Sequence, residues 1–138
     1  MASYLFDSFD YDAATGAIDA DTDTFYALLT TSGYTPDRAH SKRSQITNEV
    51  SGTGYTAGGV AVSVTVAKDT TLHRTTVTFG TATWAALTLT AVRYLVYYKR
   101  RGGASSADEL VGYVDFAADR VFEGDSVSVG QSVARFQK

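Results

Sequence analysis

The sequence predicts a mainly β protein: a single-domain antiparallel sandwich, jelly-roll or open barrel with one or two short helices. Three observations predict it. About seven short apolar or alternating runs are separated by turn residues at regular spacing. Val60, Val62, Val64 and Val66 alternate with Ala61, Ser63, Thr65 and Ala67, the period-two pattern of a half-buried strand. The longest apolar stretch, Trp84 to Lys99, alternates with Thr88 and Thr90 in its first half. It is apolar on both parities in its second half, as a strand buried on both faces must be.

Residues 1–16 carry Leu5, Phe9 and Ala13 at a spacing of four, which fits one face of a short helix with Ser3 as N-cap and Gly16 as C-cap. The same residues fit an extended aromatic arm laid on a neighbouring subunit, with Tyr4, Phe6 and Phe9 as its contacts. Residues 17–138 form the β domain. Asp19, Asp21 and Asp23 lead into a strand near 24–31, which Ser32-Gly33 ends. Tyr34-Thr-Pro36-Asp37 then turns the chain, with proline fixing φ near −65°. Residues 37–46 read as a short polar helix capped by Asp37 and carrying Ala39, Arg43 and Ile46 over one end of a sheet.

Thr47 to Gly59 holds glycines at 52, 54, 58 and 59, too many for a regular element, so it is a shaped loop. The alternating valines follow it as one strand. Lys68 to Thr71 turns into a second strand, Leu72 to Phe79, which Gly80 breaks. After the Trp84–Lys99 strand, Gly102 to Asp108 is a hairpin connection. Leu110 to Phe116 is a strand, Glu123-Gly124-Asp125 a turn, Val127 and Val129 a short strand, and Val133 to Phe136 the last. Arg93, on an otherwise apolar parity, requires a partner or an exposed position. Exposed edge strands are a hazard of such a fold, and assembly with identical or other subunits covers them.

At 138 residues, 44% hydrophobic and 20% charged, the chain is long enough to build one core without staples. It has no cysteine, which excludes disulfides, cysteine-based zinc sites and a thiol nucleophile. A formal charge of −3 argues against nucleic acid as partner. The basic run Lys99-Arg100-Arg101 reads as a solvated hairpin tip. No apolar run reaches the about 18 residues a membrane span needs, and no secretory signal is expected.

No catalytic, cofactor-binding or metal-binding residue is expected. His40 and His73 lie in different elements without a second ligand in sight. There is no Gly-x-Ser-x-Gly elbow. Asp108 and Glu109 are neighbours that point apart on entering a strand. Asp19, Asp21 and Asp23 begin like a calcium loop, but the sixth position is Thr24 and the twelfth Thr30, where glycine and glutamate are needed. The glycine loop lacks the Gly-Lys-Ser/Thr of a phosphate-binding loop and precedes a strand, not a helix. Its Tyr55 is an anchor, onto the protein's own core or onto a partner.

Taken in order, several short motifs resemble a family of small virion structural proteins of tailed bacteriophages. They are Asp19 to Thr24, Ser32 to Pro36, Arg43-Ser44, Thr47 to Gly59, Trp84, Val92-Arg93-Tyr94 to Tyr98, and Gly112 to Phe116. Each is weak alone; the ordered set over residues 19–117 is fairly specific. Residues 1–16 depart from the family pattern, which is more basic and more plainly helical there. The resemblance implies a non-enzymatic structural protein on the virion surface, made in the host cytoplasm. Its expected role is head decoration (cement or head-fibre type), binding the major capsid protein and, as a homo-oligomer, itself. A tail or fibre component contacting the host receptor is the alternative.

Overall fold

The computed structural model describes residues 2–137; Met1 and Lys138, the outer ends of the two ranges given above, lie outside the described residues. The chain runs β1 (Ala2–Leu5), α1 (Ser8–Thr15), β2 (Phe25–Thr30), β3 (Val60–Val62), β4 (Val64–Asp69), β5 (Arg74–Phe79), β6 (Ala82–Lys99), β7 (Leu110–Val129) and β8 (Ser132–Gln137). Two antiparallel sheets result, one ordered β1-β7-β6-β2-β3 and one ordered β4-β5-β8. They face each other as a sandwich, not a closed barrel.

One long ribbon organises both sheets. β6 and β7 pair from Tyr98 opposite Leu110 out to Ala82 opposite Val129, and β5 and β8 pair from Phe79 opposite Ser132 to Arg74 opposite Gln137. From Ala82 to Phe79 and from Val129 to Ser132 is the same number of residues, so the register passes unchanged through the corner at Gly80-Thr81 and Gly130-Gln131. The same hairpin therefore supplies the centre of one sheet and most of the other. The corner is pinned by the Gly80 amide, which donates to the Ser63 carbonyl at 2.7 Å.

Phe25, Leu29, Phe79, Trp84, Leu95, Tyr97 and Phe116 lie between the sheets, with Phe9 of α1 closing one side. Each fully buried side chain of this size contributes roughly 1.5–3 kcal/mol of transfer free energy. The far face of the five-stranded sheet buries Phe6, Leu28, Val96, Tyr98 and Leu110 in a second cluster against Ile46 of the 31–59 connection. Cover on both faces is the reason the second half of β6 is apolar on both parities.

Several local expectations are corrected. Residues 2–16 form neither one helix nor a free arm: β1 pairs with β7 from Ala2 opposite Asp115 to Leu5 opposite Gly112. The helix begins only at Ser8, preceded by Asp7 and not Ser3, and Gly16 ends it at φ 85°. Phe6 and Phe9 are 1% and 0% exposed, so both belong to the chain's own core and not to a partner contact. The expected helix at 37–46 is a tight turn and a single 3-10 turn over Arg43–Gln45, because its polar side chains bond backbone close by. The valine strand breaks at Ser63: β3 pairs with β2, β4 with β5, and Val66 is left exposed.

The expected turn at Glu123-Gly124-Asp125 is a bulge inside an unbroken strand. Thr88 stands opposite Glu123 while its neighbour Leu87 stands opposite Asp125, and Gly124 takes up the extra length at φ 72°. A second irregularity lies at Ala117, φ 68°, whose amide donates to the Asp115 carboxylate at 2.7 Å.

Candidate interaction surfaces

The glycine loop is held from inside. Glu49 bridges to Thr30 at the end of β2, and its carboxylate accepts the Gly58 amide at 2.7 Å and the Tyr55 hydroxyl. That hydroxyl in turn accepts the Leu29 amide at 3.1 Å, and the ring stacks on Trp84 with centroids 6.4 Å apart. Burial, then the hydrogen bond to Glu49, push the Tyr55 hydroxyl pKa up. On the other side Tyr98 donates to the Gly58 carbonyl at 2.6 Å, and burial lifts its pKa to about 12. Gly59 lies so close to β2 that a Cβ there would stand 1.8 Å from the Ala27 carbonyl oxygen. Tyr55 thus anchors the loop onto the chain's own sheet.

Tyr4, unlike Phe6 and Phe9, does present a surface. It is 43% exposed and stacks on Tyr113 at 5.2 Å. Tyr94 meets Tyr113 edge-on at 6.2 Å and Tyr34 at 6.0 Å, and the buried Tyr34 hydroxyl bonds His40 Nδ1 at 2.9 Å. Arg93 finds its partner beside this row: Nε donates to Asp115 at 2.8 Å, and the guanidinium lies over the Tyr94 ring.

Arg100 and Arg101 of the basic run are exposed, as a hairpin tip should be, but the charges of the run have partners in the chain. Lys99 bonds Asp23 at 2.8 Å and the Ala17 carbonyl at 2.7 Å. Arg100 lies 4.4 Å over the Tyr26 ring, and Arg101 holds Glu109 through two nitrogens. Asp108 and Glu109, 0% and 2% exposed, part in direction: Asp108 accepts from Arg43 Nε at 2.8 Å and the Arg101 amide at 3.0 Å, while Glu109 faces Arg101 and Lys42. The sequence pointed to no such buried ionic cluster, because Lys42 and Arg43 lie some sixty-five residues before their partners. Asp19 and Asp23 close a turn on their own backbone, Asp23 accepting the Asp19 amide at 2.7 Å and Asp19 the Asp21 amide at 3.1 Å. They do not alternate along a strand. Among the described residues no three histidines or carboxylates converge as a metal site.

The remaining surface is an edge. β1 covers the outer side of β7 only from Gly112 to Asp115; beyond that, among the described residues, β7 pairs on its β6 side alone. Beneath this open length lies a cavity of about 240 Å³, walled by Val92, Phe116, Phe122, Val127 and Val129, with Arg120 at its rim. Val121 on the opposite face is 60% exposed. No family model matches the chain, and no curated protein or solved structure matches it either.

Proposed function

We propose that this chain is a virion structural protein of a tailed bacteriophage, acting as a capsid decoration protein on the outside of the major capsid shell. The observation that carries the reading is the ordered set of motifs between residues 19 and 117. Their positions in the fold support it, since motif residues distant in sequence meet in space. Arg93 of one motif pairs with Asp115 of another, and Glu49 and Tyr55 lock a third, the glycine loop, beside the Trp84 ring of a fourth. Such a motif set encodes a rigid β scaffold, and a scaffold bound at many symmetric sites stabilises a shell by mass action, provided it binds the assembled shell and not the free subunit. Purified protein added to shells lacking it is expected to bind and to raise their disruption temperature. Absence of binding to such shells sinks the reading.

One observation favours the tail or fibre alternative. The exposed Tyr4 ring on Tyr113, with the Arg93–Asp115 pair on the same sheet, is an aromatic platform flanked by hydrogen-bonding groups, an arrangement that suits stacking on a sugar ring. Antibody labelling of imaged virions separates the two, since decoration predicts label on the head and the alternative predicts label on the tail.

A further inference from the structure

We propose that the open edge of β7 binds an extended peptide segment of another protein, which adds to the sheet as an antiparallel strand along residues 118–123. That segment carries basic side chains opposite Asp119 and Glu123 and one large apolar side chain in the cavity beneath. The inference is independent of the virion reading. It starts from backbone without a neighbour: β1 pairs with this edge only as far as Asp115, and beyond it, among the described residues, the outer side of β7 is open. Where the edge is covered, the chain's own β1 already lies on it as an antiparallel strand. Between the irregularity at Ala117 and the bulge at Gly124, β7 runs straight for the length of a short strand; the extra residue between Leu89 and Val92 belongs to β6.

Two features of the edge select this occupant. The first is the alternation of its faces. Phe122 stands opposite the buried Leu89 and Arg120 opposite the buried Val92, so both lie on the inward face. Glu123 stands opposite the exposed Thr88 and Val121 is 60% exposed, so Asp119, Val121 and Glu123 lie on the outward face. An added strand shares these faces residue by residue. Its side chain opposite Phe122 therefore points inward, at the mouth of the 240 Å³ cavity walled by Val92, Phe116 and Val127. An apolar cavity of about 150 Å³ holds a benzene ring, so this one has room for a phenylalanine or leucine side chain. A shallow cleft of about 670 Å³, lined by β7 alone between Asp119 and Ser128, opens beside it.

The second feature is charge. From Ala117 to Gly130 the carboxylates of Asp119, Glu123 and Asp125 stand against the single guanidinium of Arg120. Arg120 donates to the Phe116 carbonyl at 3.1 Å and Asp125 accepts the Glu123 amide at 3.0 Å, so both are engaged within the chain. Arg93, a cation near Asp119, is held by Asp115. Asp119 and Glu123 are exposed on one face of the edge, with Val121 between them. Residues i and i+4 of an added strand stand opposite the two acids, and lysine or arginine at both places meets opposite charge.

The probe is a blocked peptide, Lys-Phe-Val-Ser-Lys. Laid antiparallel, it sets its lysines opposite Glu123 and Asp119 and its phenylalanine opposite Phe122. Titrated to about 1 mM against the full isotope-labelled chain, it is expected to shift the amide resonances of residues 118–123 and slow their exchange. Replacing both peptide lysines by glutamate, or its phenylalanine by alanine, is expected to weaken binding about tenfold or more. Methylating the peptide nitrogens that face the edge is expected to abolish binding, because main-chain hydrogen bonds carry the affinity. Asp119→Lys combined with Glu123→Lys is expected to reverse the preference toward the glutamate peptide, and unchanged thermal unfolding of that variant shows that the fold is kept. No shift at about 1 mM overturns the proposal. So do shifts confined to another surface, or binding indifferent to the charge reversal or to methylation. Self-association that shifts the same amides without peptide gives the edge to a second copy and overturns it as well.

Discussion

Tyr55 and Glu49, six residues apart on the glycine loop, share a hydrogen bond that fastens the loop to β2, because the Tyr55 hydroxyl also accepts the Leu29 amide at 3.1 Å. Tyr55→Phe leaves that amide and the carboxylate without their partner, an expected loss of about 1–3 kcal/mol. Glu49→Ala costs more, since the Tyr55 hydroxyl and the Gly58 amide both lose their acceptor. Denaturant unfolding followed by fluorescence of Trp84, the sole tryptophan and 3% exposed, measures both. Wild-type stability in Glu49→Ala would show that the loop holds without this anchor.

Gly59 and Gly102 separate two causes of glycine dependence. Both have φ 85°, but a Cβ on Gly59 meets the Ala27 carbonyl oxygen at 1.8 Å, whereas a Cβ on Gly102 has nothing within 4 Å. Gly102→Ala is therefore expected to cost only the dihedral penalty of about 1–2 kcal/mol. Gly59→Ala adds a backbone clash that β2 cannot relieve without losing its register with β3, so the loss is larger and soluble yield falls. Equal unfolding midpoints for the two variants would contradict this.

Asp108 and Arg43 are a buried pair with unequal exposure, 0% against 22% of the side chain. Removing the carboxylate by Asp108→Ala leaves the guanidinium and the Arg101 amide unpaired, an expected cost of about 3 kcal/mol. The double variant with Arg43→Ala should cost less than the sum of the singles. A double-mutant cycle from equilibrium unfolding reads the coupling, and strict additivity would mean the contact contributes nothing.

Acid is expected to weaken the fold through Glu109 and Asp115. Burial alone would lift the Glu109 carboxyl, but the hydrogen bond from Arg101 and the charge of Lys42 hold it below its ordinary 4.5. Asp115 is held below 3.8, chiefly by the hydrogen bond from Arg93. A carboxyl depressed in the folded state contributes stability that is full above its unfolded pKa and is lost as pH falls through the folded one. Asp12 works the other way: burial raises its pKa, so its ionisation disfavours the fold at neutral pH. Unfolding midpoints are expected to fall from pH 6 to pH 3 and to fall less in Arg101→Ala. Asp12→Asn should stabilise at pH 7 and have no effect at pH 3.

Most of the sheet was legible because strands announce themselves by parity. β2, the second half of β6 and the first half of β7 lie where their apolar runs placed them. What failed was the reading of glycine and of charge. Gly124 between two acids has the signature of a turn, yet it fills a bulge, because the partner strand β6 continues past it and holds the pairing. The break at Ser63 left no mark, since the alternation Val60 to Val66 is the same whether the strand stays in one sheet or crosses to the other. The candidate contacts divided for a similar reason. Tyr4, Phe6 and Phe9 are alike in type, but Tyr4 and Phe6 both pack on Tyr113 with only Phe6 covered, and Phe9 is carried into the other core cluster by α1. The ionic cluster was hidden because a contact between Arg43 and Asp108 is set by tertiary folding, not by spacing.

The ribbon that runs from Arg74 to Lys99 and back from Leu110 to Gln137 has a consequence for cooperativity. The two sheets share one register through the corner as far as Trp84 opposite Val127, so a one-residue slip of that stretch would turn core side chains of both sheets toward water together. Neither layer can melt while the other keeps its pairing through the corner. The sandwich is therefore expected to unfold as one unit, with secondary structure and the Trp84 environment lost in a single coincident transition.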